Sequence, residues 1–325
     1  MQAWHVHENG EPSEVMRLEQ AERPTPGDGQ ILVKVRAANV NFPDALMCRG
    51  QYQVRPAMPF TPGVEICGGT EDGRRVLATP VLPYGGFAEY AVADAASVLP
   101  APESLDDAEA AALHIGYQTG WFGLHRRARL EAGETLLVHA AAGGVGSAAV
   151  QLGKAAGATV IGVVGGPDKA AVARELGCDT VIDRRSEDVI ATVKEVTGGR
   201  GADVVYDPVG GTAFTQSTKV VAFEGRIVVV GFASGTIPSA ALNHALVKNY
   251  AILGLHWGLY NTKNPKLVQH CHEQLTELAA RGTVKPLVSE RVPLAGAAAA
   301  VQRVADGVTT GRVAVLPGAE NGAAA

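Results

Sequence analysis

The segment His139-Ala140-Ala141-Ala142-Gly143-Gly144-Val145-Gly146 follows an apolar run, Thr135–Ala140, and opens a helical stretch over 147–157. A glycine turn between a strand and a helix suits a dinucleotide. Backbone can approach the pyrophosphate closely, and the free N–H groups at the helix start can hold its oxygens. Read as A-x-G-x-x-G, the segment puts Ala141 where the first glycine often sits. Gly143 then permits close approach, and Gly146 permits tight helix–strand packing. The competing reading is a tight turn without a ligand. A lone glycine fingerprint is weak, but the strand–turn–helix context favours the nucleotide.

A second strand, 158–164, ends in Val163-Val164-Gly165-Gly166. NAD sites usually carry Asp or Glu there to bind the ribose hydroxyls. This chain has none, so no carboxylate repels a 2′-phosphate. Lys169 follows in the first turn of the next helix, and Arg184-Arg185 follow the third strand. These cations favour NADPH, although each taken alone suits a solvated surface equally well. Asp168 beside Lys169 fits an acid at a helix N-terminus.

His270-Cys271-His272 is the only dense run of soft metal ligands. Neighbours on a helix point to different sides, and Cys271 falls on an apolar face with Leu267, Leu275 and Leu278. A metal reading of this run is therefore disfavoured. Cys48, Cys67, Cys178 and Cys271 lie far apart, which suits reduced thiols in a cytoplasmic protein. Cys48 and Cys67 are expected to pack rather than to react.

These groups need elements to place them. The first 110 or so residues read as short strands broken by turns: Gln30–Ala37, Arg75–Thr79 and Ala88–Val92, a β-rich, barrel-like domain. A helix opens at Asp106 with acids in its first turn. From Glu134, apolar strands alternate with helices: Thr135–Ala140, Ala158–Val164, Thr180–Asp183, Asp203–Asp207, Arg226–Gly231 and Ala251–Leu255. That alternation predicts a parallel sheet covered on both faces. A helix over 265–281 leads back to strands at 284–288 and 311–316, which complete the first domain. The tail 318–325 is expected to fray. Of 325 residues, 46% are hydrophobic and 19% charged, a composition that supports an ordinary core. The net charge of −5 gives no basic footprint for nucleic acid or an anionic membrane. No signal peptide and no membrane span are expected.

Together these segments resemble the medium-chain dehydrogenase/reductase superfamily, and within it the zinc-free NADPH:quinone oxidoreductases that include zeta-crystallin. The landmarks are Asn39–Asp44, Pro59–Glu65, Ala140–Gly146, Val164–Lys169, Asp207–Gly210, Val230–Gly235 and Gly311-Arg312-Val313. The resemblance covers nearly the whole chain. It implies an α/β fold with a doubly wound parallel Rossmann sheet and a GroES-like β-rich substrate domain. The expected boundaries are 1–118 for the first part of the substrate domain, 119–258 for the Rossmann domain and 259–325 for the return segment. It further implies a homo-oligomer, dimer or tetramer, paired through Ala251–Leu255; a merely covered edge is the other reading of that strand.

Residue by residue, the resemblance places Asn41, Phe42 and Thr119 by the nicotinamide, and Gly143, Gly144 and Val145 by the pyrophosphate. Gly165, Gly166 and Lys169 match the segment that recognises the 2′-phosphate. Arg184 stands where relatives often have Tyr. Val209, Phe232, Ala233 and Ser234 match the loops beside the nicotinamide, Trp257 is expected to close over it, and Arg312 lies in the closing pattern. Gly63, Glu65 and Gly210 have a purely fold-specifying reading.

Zinc members have Cys where this chain has Asn41, and His where it has Val64. A catalytic zinc needs three protein ligands and an open position, so no metal is expected. The Tyr-x-x-x-Lys alternative for stabilising an alkoxide is also absent. A conjugated acceptor fits better, because hydride delivery leaves a delocalised enolate or hydroquinone anion that hydrogen bonds can stabilise. The expected acceptor is a quinone or another α,β-unsaturated carbonyl. Tyr52, Asn41 and Asp44 are the polar residues expected near it. Tyr52 would orient or protonate it, against an equal reading as a wall aromatic; Asp44 is the more structural of the three. Competing functions are an enoyl-thioester or alkenal reductase, a low-turnover NADPH-binding protein with a structural or regulatory role, and, least favoured, a zinc alcohol dehydrogenase.

Overall fold

A computed structural model of the chain describes residues 1–319; the rest of the tail expected to fray, Glu320–Ala325, lies outside them. The chain forms two compact units, Met1–Ile115 with His272–Ala325, and Gly116–Cys271. The second unit therefore runs past the boundary expected at residue 258, because helix Pro265–Ala280 starts in it and ends in the first.

The first unit begins with β1 (Gln2–Val6) and β2 (Met16–Gln20), which pair antiparallel as a separate two-stranded sheet. Its main sheet is built from β3 (Gln30–Asn39), β4 (Ile66–Thr70), β5 (Arg75–Ala78), β6 (Tyr90–Asp94) and β7 (Leu99–Pro100). The second unit contributes β8 (Thr135–His139), β9 (Thr159–Val164), β10 (Thr180–Asp183), β11 (Ala202–Asp207), β12 (Val221–Val229) and β13 (Ala251–Gly254). The chain then returns to the first unit as β14 (Val288–Pro293) and β15 (Arg312–Leu316).

In the first unit the order is β14-β15-β3-β4-β5-β7, with β6 also on β3. The return strands thus complete the sheet, as expected, through β15 against β3. The strand expected over 284–288 lies later, at β14. Pro286 has no N–H to give a ladder, and pairing begins at Val288 opposite Arg312. Val33, Val35, Phe60, Ile66, Phe87 and Val315 fill the core of this unit, none more than 3% exposed.

The second unit is a six-stranded parallel sheet in the order β10-β9-β8-β11-β12-β13. The chain direction reverses its march across the sheet between β8 and β11, which is the doubly wound Rossmann order. Every residue of β8 is buried, as a strand covered on both faces requires. Leu137, Ile161, Val205 and Ile227 form the central apolar layer.

Candidate cofactor and acceptor sites

In the second unit, the turn after β8 is built around contacts too close for side chains. Ala140 takes a positive φ of 51°. Gly143 then caps helix Gly144–Ala155 in extended backbone. A Cβ on Gly146 would lie 2.0 Å from the Ala140 carbonyl oxygen. Only glycine lets the helix start this near the strand, which is the packing role assigned to it. At Gly143 a Cβ would meet the same oxygen at 3.2 Å, a milder constraint. The helix begins at Gly144, three residues before the expected Ser147. Gly144 and Val145 are therefore its first residues, where N–H groups lack intrahelical partners.

β9 ends in Val164, and Gly165-Gly166 lead into helix Pro167–Glu175. The Gly166 N–H donates to Asp183 Oδ1 at 2.8 Å, and the Arg185 N–H donates to the same oxygen at 3.0 Å. Asp183, which sequence reasoning passed over, holds this corner through backbone; those bonds keep its carboxyl below the usual range. The arginine side chains lie over the glycines. A Cβ on Gly165 would meet Arg184 Nη2 at 3.1 Å, and one on Gly166 would meet Arg185 Nη1 at 3.0 Å. Lys169 is pushed below the usual lysine range by burial, then by Arg185 and Arg184. Three cations thus crowd the end of β9.

At the end of β11, Asp207 is 1% exposed and accepts from the Val209 and Gly210 N–H groups at 2.8 and 2.9 Å. The loop after β12 docks on this turn: Ala233 N–H donates to Pro208 O and Ser234 N–H to Val209 O, both at 3.0 Å. Val209, Phe232, Ala233 and Ser234 are thereby brought together. Thr119 is buried in a helical stretch, Gln118–Trp121, flanked by two π-wound segments, Leu113–Tyr117 and Phe122–Arg127. π-wound turns recur at functional sites. Trp257 departs from expectation. It is 7% exposed, and its Nε1 donates to Gln118 Oε1 at 3.0 Å. A buried indole N–H needs such a partner, and the bond fixes the ring in the interior rather than leaving it free to close over a ligand.

In the first unit, Asn41 follows β3 and begins helix Phe42–Cys48. Its Nδ2 donates to Glu65 Oε2 at 2.8 Å and to Asn39 O at 3.1 Å, and its Oδ1 accepts from Arg312 Nη1 at 2.5 Å. Glu65 is fully buried, with a carboxylate oxygen 3.7 Å from Arg312 Nη1, and also accepts from the Ile115 N–H. Arg312, expected to touch the cofactor, is 5% exposed, and its ordered contacts are to Asn41 and Val40. The structure assigns it instead to holding Asn41. Its Nε and Nη2 have no hydrogen-bond partner among the described residues. Phe42, beside it, starts the helix and is half-buried.

Asp44, expected to be the more structural of the three polar residues, accepts from backbone. It is completely buried, with Oδ2 accepting from the Asn41 N–H at 2.7 Å and Oδ1 from the Gly63 N–H at 2.9 Å. A carboxyl spent on two backbone donors orders the loop and does not face a substrate. Burial pushes it up to about 7 despite those donors, and Glu65 adds to the rise. Tyr52 is half-buried, and its phenol is raised by burial and by Asp44. Cys48 and Cys67 are buried, their thiols pushed up to about 12, which suits packing rather than reaction.

A zinc ion does not fit at Asn41. The amide there is already engaged by a carboxylate and a guanidinium, and a buried cation beside it opposes a second one.

Two family models match the chain: the alcohol dehydrogenase GroES-like domain over residues 27–103 and the zinc-binding dehydrogenase over 144–273. A quinone oxidoreductase-like protein 2 homolog of Nematostella vectensis is 38% identical over 301 residues, covering 89% of this chain and 82% of its own. The chain belongs to the medium-chain dehydrogenase/reductase superfamily, in its quinone oxidoreductase branch. The crystal structure of Escherichia coli quinone oxidoreductase complexed with NADPH superposes with a TM-score of 0.90 at 29% identity, covering 98% of this chain and 100% of that one. A phthioceranic/hydroxyphthioceranic acid synthase of Mycobacterium tuberculosis is 32% identical over 312 residues, which are 93% of this chain but 15% of that protein. NADPH binding is a property of the family, and the GroES-like and Rossmann folds are those of the two units.

Proposed function

We propose that this chain passes hydride from NADPH to a quinone or another conjugated carbonyl. The cluster of Lys169, Arg184 and Arg185 at the end of β9 carries the reading. It offers three cations to a 2′-phosphate where NAD-binding proteins place a carboxylate. NADPH, when bound, supplies the hydride. Gly143, Gly144 and Val145 bind its pyrophosphate at the helix start. Val209 and Phe232–Ser234 line the nicotinamide side, with Thr119.

In the first unit, Arg312 and Glu65 hold the Asn41 amide in one orientation. Tyr52, like any phenol, keeps its proton at neutral pH, and burial and Asp44 raise it further. Its hydroxyl donates a hydrogen bond to the oxygen on which charge develops. The acceptor's delocalised anion then takes its proton from water. No metal takes part.

We further propose a cytoplasmic homo-oligomer. β13 is an edge strand, and Leu242, Leu246 and Val247 on the preceding helix are each at least 75% exposed. Apolar exposure beside an open edge favours a second copy. No helix among the described residues is long and apolar enough to cross a membrane.

The likeness to part of a phthioceranic/hydroxyphthioceranic acid synthase keeps enoyl-thioester reduction as the second reading. Steady-state assays with NADPH and 1,4-naphthoquinone, crotonaldehyde and crotonyl-CoA separate the two. Naphthoquinone turnover is expected, with NADPH well preferred over NADH. Turnover confined to crotonyl-CoA transfers the protein to the second reading. Tight NADPH binding with no oxidation by any acceptor makes it a binding protein.

A further inference from the structure

The β1–β2 hairpin carries a group of side chains that neither cofactor nor acceptor uses. In a strand, residues two apart share a face. Trp4 and Val6 turn inward, at 8% and 0% exposure, and the Trp4 Nε1 is tied to Leu294 O at 2.7 Å. His5 therefore lies on the outward face, and His7, one residue past the end of β1, joins it through Glu19. Glu19 on β2 lies diagonally across, since the register pairs Ala3 with Glu19 and His5 with Arg17. One Glu19 oxygen is 2.8 Å from His5 Nδ1, and the other is 3.0 Å from His7 Nε2. The three residues offer ligand atoms that all lie within 4.8 Å of one another, the only such group of three or more among the described residues.

We infer that His5, His7 and Glu19 form a surface site for a borderline divalent cation of the zinc type. Two imidazoles and a carboxylate are a zinc ligand set, with the fourth position left to water. Zinc–ligand bonds of about 2.0–2.2 Å in a tetrahedron separate ligand atoms by roughly 3.3 Å. The two nitrogens here contact different Glu19 oxygens, and with all three ligand atoms within 4.8 Å of one another side-chain rotation can bring them to that spacing. The rings stand nearly perpendicular, at 84° with centroids 6.0 Å apart, so both can aim at one point without stacking. Each neutral imidazole would bind the cation through the nitrogen that now faces Glu19, with its ring proton on the other nitrogen, so no net proton need be lost. Arg17 is the one opposing charge in the register, and its exposed side chain is free to turn outward. The site joins β1 to β2 and is separate from Asn41, so it is compatible with metal-free hydride transfer.

The test is calorimetric titration of the full, untagged chain with zinc chloride, beside His5→Gln, His7→Gln and Glu19→Gln. One equivalent is expected to bind the parent chain. Each variant should bind about tenfold more weakly or worse while keeping the parent's circular dichroism spectrum and naphthoquinone turnover. Magnesium chloride should give no heat of binding, because a hard cation does not favour imidazole. Cobalt chloride should give a tetrahedral visible spectrum that the His7→Gln chain lacks. Unchanged zinc affinity in all three variants, or no binding to the parent chain, overturns the site.

Discussion

Asn41 is a side chain whose orientation is set by its neighbours. Its amide is held by Glu65, Asn39 and Arg312, so it serves as an oriented dipole. Replacing Arg312 with Leu removes a buried donor and leaves Glu65 without its nearest cation. That change is expected to cost about 3–5 kcal/mol of stability, as breaking a buried ion pair does, read by urea unfolding. Lys169→Ala is expected to raise the KM for NADPH on the order of tenfold and leave that for NADH nearly unchanged. Losing a charged hydrogen bond costs about 1.5–3 kcal/mol, and only the phosphorylated nucleotide loses it. Tyr52→Phe should lower kcat with naphthoquinone by about tenfold, the worth of one hydrogen bond to developing charge; an unchanged kcat would return Tyr52 to a wall residue.

Asp44 makes a statement about pH. Its carboxyl titrates near 3.8 in an open chain and is pushed up to about 7 in the fold. Between those values the folded protein holds the extra proton, so this group's contribution is complete below about 4 and is lost as pH rises through about 7. Unfolding free energies measured from pH 4 to 8 should therefore carry a downward component with rising pH. Asp44→Asn, which cannot ionise, should remove that component. It should also cost about 1–3 kcal/mol at low pH, because an amide accepts through one oxygen where two backbone N–H groups need acceptors.

Among the elements, the turn between β8 and its helix has the least room. Gly146→Ala would drive a methyl into the Ala140 carbonyl, 2.0 Å from the ideal Cβ position. The atom it meets is backbone, so the helix start must move. A loss of about 1–3 kcal/mol is expected, together with much weaker NADPH binding by fluorescence titration. The corner after β9 is organised differently: Asp183 holds its backbone, and the arginines pack over glycines that leave them space. Nothing in the spacing of Gly165, Lys169, Arg184 and Asp183 announces that division of labour. It arises because β9 and β10 lie side by side, with Asp183 paired to Val164.

For the whole molecule, the open edge of β13 and the exposed Leu242, Leu246 and Val247 make oligomerisation measurable. Leu246→Glu is expected to shift the mass seen by light scattering toward the monomer, since a charge at the core of an apolar contact is costly. An unchanged mass would leave β13 as a covered or tolerated edge.

Local patterning carried much of this. Strand period, buried apolar runs and a glycine turn between strand and helix announce a Rossmann unit, because both backbone conformation and two-sided burial leave marks on neighbouring residues. The missing carboxylate after β9 and the missing thiol at position 41 are legible for the same reason: each is a residue type at a known place in a local segment. Which partners those residues take is another matter. Arg312 reaches Asn41 across 271 positions of chain, Trp257 reaches Gln118 across 139, and Asp44 accepts from the Gly63 N–H, 19 positions away. Burial and hydrogen bonding of polar side chains depend on what the far chain brings up, and only folding in three dimensions brings it there.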